Sequence, residues 1–229
     1  MPEAAVVVTS YRIPTKRLTD WLAWNSEYFQ WLAGVYLVCD EDTAEWAKQA
    51  DWRMPLVVLP YPVPLQQFSI TRTANYGIRR AMEDGCRKII KTDVDVVFLS
   101  GLGEMLEVDN RKAITPRYGD AASYETRNQF RRYMPHGQGT ISMTAHNWER
   151  LEGYDERCSG WGFDDNEMCQ RIAEAGIEID DAPVVAHIDH GLPKGADWNA
   201  DSFNPNLRAI NVKLIPRGPR SQPHWGIPR

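Results

Sequence analysis

The chain lacks any apolar run approaching the roughly 20 residues that a helix needs to span a bilayer. Stable membrane insertion is therefore not expected, and a membrane role would need a partner or a surface contact. It also lacks paired cysteines. Cys39, Cys86, Cys158 and Cys169 stand singly with no Cys-x-x-Cys, which argues against a zinc knuckle or a dense disulfide framework and makes reduced thiols the default. Positive charge is not in excess, since 26 Lys and Arg meet 31 Asp and Glu for a net charge of −5. A general binder of nucleic acid or of membrane surfaces is disfavoured on that ground. The densest basic stretch is "TRNQFRRY", with Arg127, Arg131 and Arg132. The N-terminal "MPEAAVVVTSYRIPTK" has only a short apolar run, preceded by an acid. It reads as a first core strand rather than a signal peptide, so a cytoplasmic location is expected. No internal repeat is present.

What is there is an alternation of strand and helix. At 229 residues the chain fits one α/β domain with a core that needs no staples. "AAVVVTSY" is a β-branched run, and "TKRLTDWLAWNSEYFQWL" carries apolar residues at helical spacing. "GVYLVCDED", "AEWAKQA", "PLVVLPYP", "ITRTANYGIRRAMEDG" and "RKIIKTDVDVVFL" continue the rhythm, predicting a mainly parallel sheet flanked by helices. Beyond it, "LGEMLEVD" reads as helix and "KAITPRYG" as a strand. Residues 120–139 read as a long polar segment without core-facing period, expected to order over a bound ligand as a lid. "TISMTAHNWERLEG", "DDNEMCQRIAEAG" and "IEIDDAPVVAHIDHG" complete the sheet region. Residues 1–215 are assigned to one catalytic domain, and the Pro- and Arg-rich residues 216–229 to an extended or disordered tail.

Three features carry chemistry. In "KIIKTDVDVVFLSGLGEML" an apolar strand runs into Asp93 and Asp95. Aspartate is common at strand ends, where it starts turns. Alternatively, residues i and i+2 of a strand point the same way, so two carboxylates converge and call for a divalent cation. In "GYDERCSGWGFDDNEMCQRI", Gly160 and Gly162 flank Trp161 just before Asp164 and Asp165 and an amphipathic helix. One reading of the acids is a capping arrangement that complements the helix N-terminus. Against that, Trp161 offers a flat face for a sugar ring, and an acid held in the first turn can act as a general base. In "VVAHIDHG", His187 and His190 follow an apolar run, as structural histidines or as metal ligands.

The order of these segments resembles the GT-A fold glycosyltransferases. "TDVDVVF" is similar to their Asp-x-Asp motif, and "GWGFDDNEMCQRI" to the Gly-Trp-Gly segment of galactosyltransferase and polypeptide N-acetylgalactosaminyltransferase types. "RTANYGIRRA" is similar to the Asn-x-Gly helix that precedes the Asp-x-Asp strand. The resemblance implies a GT-A type, Rossmann-like α/β fold and a metal-dependent enzyme. Such an enzyme moves a sugar from a nucleotide-diphosphate donor, a UDP-sugar by preference, to an acceptor hydroxyl, with inversion expected and retention as the alternative. It implies that Thr9, Ser10, Tyr11 and Asp40 contact the base and ribose, that Arg72 lies near the diphosphate or sugar, and that Asp93 faces ribose or sugar. It further implies Asp95 with His187, or alternatively His190, as ligands of Mn2+ or Mg2+. Trp161, Gly162 and Asp164 would meet the acceptor or sugar, and Asp165 would be the base. The acceptor (glycan, lipid-linked, protein or nucleic acid) stays open. The segment Phe163-Asp164-Asp165 departs from the small residue and Glu-Asp of many relatives. With neither membrane anchor nor lectin domain, the chain resembles a bacterial or phage type. Two rivals from other classes are a metal-dependent phosphatase using "DVDVV" and a non-catalytic carbohydrate-binding protein.

Overall fold

The computed structural model describes residues 3–10, 15–62, 69–99, 101–134, 139–158, 164–181, 183–188 and 224–228. Along them run β1 (Ala4–Ser10), α1 (Thr15–Phe29), β2 (Gly34–Cys39), α2 (Glu41–Lys48), β3 (Leu56–Pro60), α3 (Ile70–Glu83) and β4 (Lys88–Thr92). There follow β5 (Val96–Val97), α4 (Leu102–Met105), β6 (Lys112–Ile114), β7 (Arg117–Ala121), β8 (Phe130–Met134) and β9 (Ile141–Thr144). The order ends with α5 (Ala145–Arg150), α6 (Asp164–Glu174), β10 (Glu178–Asp180) and β11 (Val184–Ile188). The main sheet has the order β10-β6-β9-β4-β1-β2-β3. All its pairings are parallel except those of β9, which runs against β4 and β6. A second sheet, β5-β11-β7-β8, lies beyond the end of β4.

The period of two in β1 explains the layering. Val6 and Val8 join a core with Leu18, Trp21 and Leu22 of α1, while Ala5 and Val7 join one with Ala74 and Ile78 of α3. Covered on both faces, the strand reads as an unbroken apolar run. Gly77 sets how closely α3 approaches, because a Cβ there would stand 2.6 Å from Val7 Cγ1 and 2.7 Å from Val38 Cγ2. The Asn-x-Gly step is thus a packing requirement at its glycine.

The structure departs from the sequence reading in four places. Asp93 and Asp95 do not share a strand face: the chain turns between β4 and β5, with Val96 N–H donating to Asp93 O at 3.2 Å, and passes from one sheet to the other. "KAITPRYG" is two strands, β6 and β7, belonging to different sheets. Much of the polar segment 120–139 is a hairpin in which β7 pairs antiparallel with β8, Asp120 opposite Arg132. It is not legible as a strand because β8, "FRRYM", is a sheet edge along which Arg131, Arg132 and Tyr133 are all exposed, so no alternation marks a core face.

The fourth departure is the tail, where residues 224–228 pack. Trp225 is 2% exposed. The Arg79 guanidinium lies 5.6 Å from its ring centroid, Arg79 Nη1 donates to its carbonyl at 3.0 Å, and Gly226 N–H donates to Glu156 Oε1 at 2.6 Å. Trp225→Ala is expected to cost about 3–5 kcal/mol. Trp31→Ala, at a position 75% exposed, should stay within about 0.5 kcal/mol of wild type. Urea unfolding of both variants checks the contrast.

Candidate active site

The turn that ends β4 is held from beneath. Trp21 Nε1 of α1 donates to Val96 O at 2.8 Å, Asn25 Nδ2 to the same oxygen at 3.2 Å, and Phe98 N–H donates back to Asn25 Oδ1 at 2.9 Å. Tyr124 OH donates to Val94 O at 3.1 Å. Backbone groups at a sheet crossing have no regular ladder to join, and these buried side chains supply the missing partners.

On one side of the turn, Asp95 meets His187. Strand register brings them together, since β11 places His187 opposite Val96 of β5 and beside Asp120 of β7. His187 Nδ1 is 3.0 Å from Asp120 Oδ1, and Asp120 in turn pairs with Arg132 Nε. A carboxylate at Nδ1 orients the ring and turns Nε2 towards Asp95. Nε2 lies 3.8 Å from Asp95 Oδ2, too long for a hydrogen bond but near enough for both to reach one ion. The Tyr118 ring stacks on the imidazole at 5.4 Å between centroids. A hard carboxylate, an imidazole and a supporting carboxylate fit a cation such as Mn2+. Among the described residues no cluster of three or more His, Cys, Asp or Glu is arranged to hold a metal, and His190 lies outside them.

On the other side, Asp93 meets Lys91 rather than open space. Lys91 Nζ is 2.9 Å from Asp93 Oδ1, 3.0 Å from Gly139 O and 4.0 Å from Asp165 Oδ1. Asp93 Oδ2 packs so closely on Gly139 that a Cβ there would stand 2.3 Å away. Asp164 and Asp165 open α6, and Arg171 on the same helix ties Glu167 to the turn carbonyls of Leu151 and Gly153. Asp165 keeps about a quarter of its side chain exposed, 26%, while its Oδ1 is enclosed. Burial, and then repulsion by Asp164, hold its carboxyl well above the usual aspartate range, against the pull of Lys91. Asp93 is raised too, by burial first, with Lys91 opposing and Asp95 adding to the rise.

The remaining expected residues fall as follows. Thr9 and Ser10 are buried at the carboxyl end of β1, and among the described residues Ser10 Oγ has no hydrogen-bond partner. Asp40 follows β2 and caps α2, accepting from Thr43 N–H at 2.9 Å. Arg72, in the first turn of α3, reaches Glu156 O at 3.4 Å. Asn75 donates to Tyr154 O at 2.9 Å and accepts from Tyr154 N–H at 2.7 Å. α3 thereby grips the segment that runs into the Gly-Trp-Gly motif. Tyr11, Trp161 and Gly162 lie outside the described residues. The sequence reading missed Lys91, Asp120 and Tyr118. A lysine inside a buried parallel strand was an available anomaly; Asp120 and Tyr118 carried no local signal.

A family model described as the N-terminal domain of galactosyltransferase matches residues 119–191, a stretch that holds Asp120, Asp164, Asp165 and His187. Human beta-1,4-galactosyltransferase 3 is 24% identical over 151 residues, covering 63% of this chain and 37% of the relative. The chain therefore spans little more than a third of that relative's length. The catalytic domain of Drosophila beta1,4-galactosyltransferase 7, in complex with xylobiose, superposes with a TM-score of 0.61 at 14% identity, covering 95% of this chain and 82% of that one. GalNAc-T7 with UDP, GalNAc and Mn2+ gives a TM-score of 0.63 at 13% identity, covering 93% and 48%. The fold is the GT-A fold, and the likenesses together support a GT-A fold glycosyltransferase, as the motif order led us to expect. They overturn one expectation. The similar curated proteins are animal beta-1,4-galactosyltransferases, so a cytoplasmic enzyme of bacterial or phage type does not follow from the resemblance; among the described residues no helix is long and apolar enough to cross a membrane.

The raised carboxyl of Asp165 has a consequence for stability. A group whose acid form is favoured on folding contributes nothing below the unfolded aspartate range. It destabilises increasingly as pH climbs through its folded value. Asp165→Asn should therefore match wild type in acid and become the more stable protein towards neutral pH. Thermal unfolding of the metal-free proteins across pH reads the difference.

Proposed function

We propose that this chain is a metal-dependent glycosyltransferase that moves a sugar from a UDP-sugar to an acceptor hydroxyl with inversion. The observation that carries the reading is the meeting of Asp95 and His187, Nε2 to Oδ2 3.8 Å, beyond the end of β4. Asp93 and Lys91 link that place to Asp165 at the start of α6. Ligands of open α/β sheets bind at the carboxyl ends of the strands, where Thr9, Ser10 and Asp40 also lie. The manganese and UDP named with GalNAc-T7, and the galactosyltransferase family match, support the donor and metal choice over the phosphatase and sugar-binding rivals.

Asp95 and His187 would hold the cation, with Asp120 and Tyr118 orienting the imidazole. When bound, the cation supplies positive charge to the departing diphosphate. Asp165 takes the proton of the acceptor hydroxyl, whose oxygen forms the new bond to the anomeric carbon. The bond from that carbon to the diphosphate breaks in line, and UDP leaves with its electron pair. A carboxylate raised by burial is the stronger base, so the environment of Asp165 suits this task. Asp164 and Trp161 would hold sugar hydroxyls and ring. Arg72 would face the diphosphate or the sugar, and Asp93, already engaged by Lys91, would meet the donor with its outward edge.

Binding of a nucleotide sugar should stabilise the native protein by mass action. Screening a panel of nucleotide sugars by thermal unfolding, with and without manganese, tests the class, and UDP-sugars should give a manganese-dependent rise. Full activity in excess chelator would exclude the metal. Asp120→Asn, which leaves both metal ligands in place, should raise the manganese concentration for half-maximal activity about 10–100-fold. Asp165→Asn should lower turnover about 10²–10⁴-fold with UDP binding nearly intact, whereas Asp164→Asn should chiefly raise KM for a sugar. The opposite ranking would move the base to Asp164.

A further inference from the structure

Lys91 is 1% exposed in a strand covered on both faces. A buried ammonium is costly unless every proton finds a partner. Two of its three N–H groups are used by Asp93 Oδ1 and Gly139 O. Its remaining side faces the Tyr154 ring, 5.6 Å to the centroid, and Asp165 Oδ1 at 4.0 Å. The last distance is too long for a hydrogen bond but short for two charges screened by little water. Asp165 Oδ1 is enclosed, and the Tyr154 hydroxyl also favours its charged form. The titratable and charged groups that face Asp165 are Asp93 and Lys91 around the end of β4, Tyr118 of β7, Tyr154 after α5, and Asp164 and Cys169 of α6. Among the described residues, Lys91 is the one cation that faces it.

We infer that Lys91 is a positioning residue whose ammonium joins the carboxylate on the donor side, Asp93, to the base on the acceptor side, Asp165, and keeps Asp165 able to carry charge in a buried place. Its catalytic meaning rests on Asp165 as the base of the proposed reaction, but the electrostatic link does not. Nothing in the motif order implied this. The Asp-x-Asp and the paired acids of α6 lie far apart in sequence, and a residue two positions before the first motif spans them. A counter-charge held on the strand, independent of metal and donor, lets three carboxylates (Asp93, Asp164 and Asp165) sit together before substrates arrive. It moves no proton itself.

The test is titration of the protein labelled with 13C at aspartate carboxyls, free of metal and donor, with Asp165 assigned by its loss in Asp165→Asn. Removing an opposite charge at this distance in Lys91→Met should raise the Asp165 midpoint by about one pH unit or more. The acid limb of turnover against pH, measured with UDP-sugar and manganese, should move up by the same amount, which a merely structural role would not produce. If Lys91→Met does not fold, comparing Asp93→Asn with Lys91→Met/Asp93→Asn isolates the same contribution. A folded Lys91 variant whose Asp165 midpoint stays within about 0.3 unit of its parent, well below the shift expected of a neighbouring charge, overturns the inference. A shifted midpoint in a protein whose wild type turns over no nucleotide sugar upholds the link and rejects the enzymatic reading instead.

Discussion

The site depends on how negative charge is compensated beyond the end of β4. Asp93, Asp95, Asp120, Asp164 and Asp165 gather there, and carboxylates so placed destabilise the fold unless cations stand among them. The chain answers at fixed points. Lys91 lies beneath Asp93 and within 4.0 Å of Asp165, and Arg132 secures Asp120 from the hairpin edge. Asp95 and His187 face one another at 3.8 Å, where the proposed reaction would place its cation. Lys91 with Asp93 and Asp165 thus lies on one side of the turn, and Asp95 and His187 with Asp120 and Arg132 on the other.

That separation follows from the passage between the two sheets. Had Asp93 and Asp95 continued one strand, their side chains would share a face and a partner. The turn between β4 and β5 sends them to different partners, and Trp21, Asn25 and Tyr124 make it stable by satisfying carbonyls and N–H groups that no ladder reaches. A second grip comes from α3. Asn75 and Thr71 bond the backbone from Tyr154 to Cys158, Gly226 N–H reaches Glu156, and Gly77 lets the helix lie close on β1 and β2. Support of this kind fixes the approach to the Gly-Trp-Gly motif from a rigid element, as a site requiring precise placement demands.

Under the proposed reaction, Asp165 sets folding against function. Its enclosure beside Asp164 disfavours the ionised form that a base must reach, and an asparagine would suit the fold better at neutral pH. An acid at such a place fits the role of base in the proposed reaction.

The sequence by itself determined the alternation of strands and helices, the apolar faces of β1, and the three motifs in order. Each of these is written in local periodicity or in residue spacing, which the backbone geometry of one element reads directly. Resemblance put forward Asp95, His187 or His190, and the acids of α6 as a set, without saying how they meet. Tertiary structure alone decided that β5, β11, β7 and β8 form their own sheet, that the polar hairpin supplies Asp120 and Arg132, and that Trp225 returns to pack on α3. It also decided that Lys91 points into the cluster of acids rather than to water. These facts rest on contacts between residues distant in sequence, where register across strands and the cost of burying charge govern. Neither leaves a trace in the local pattern of any one segment.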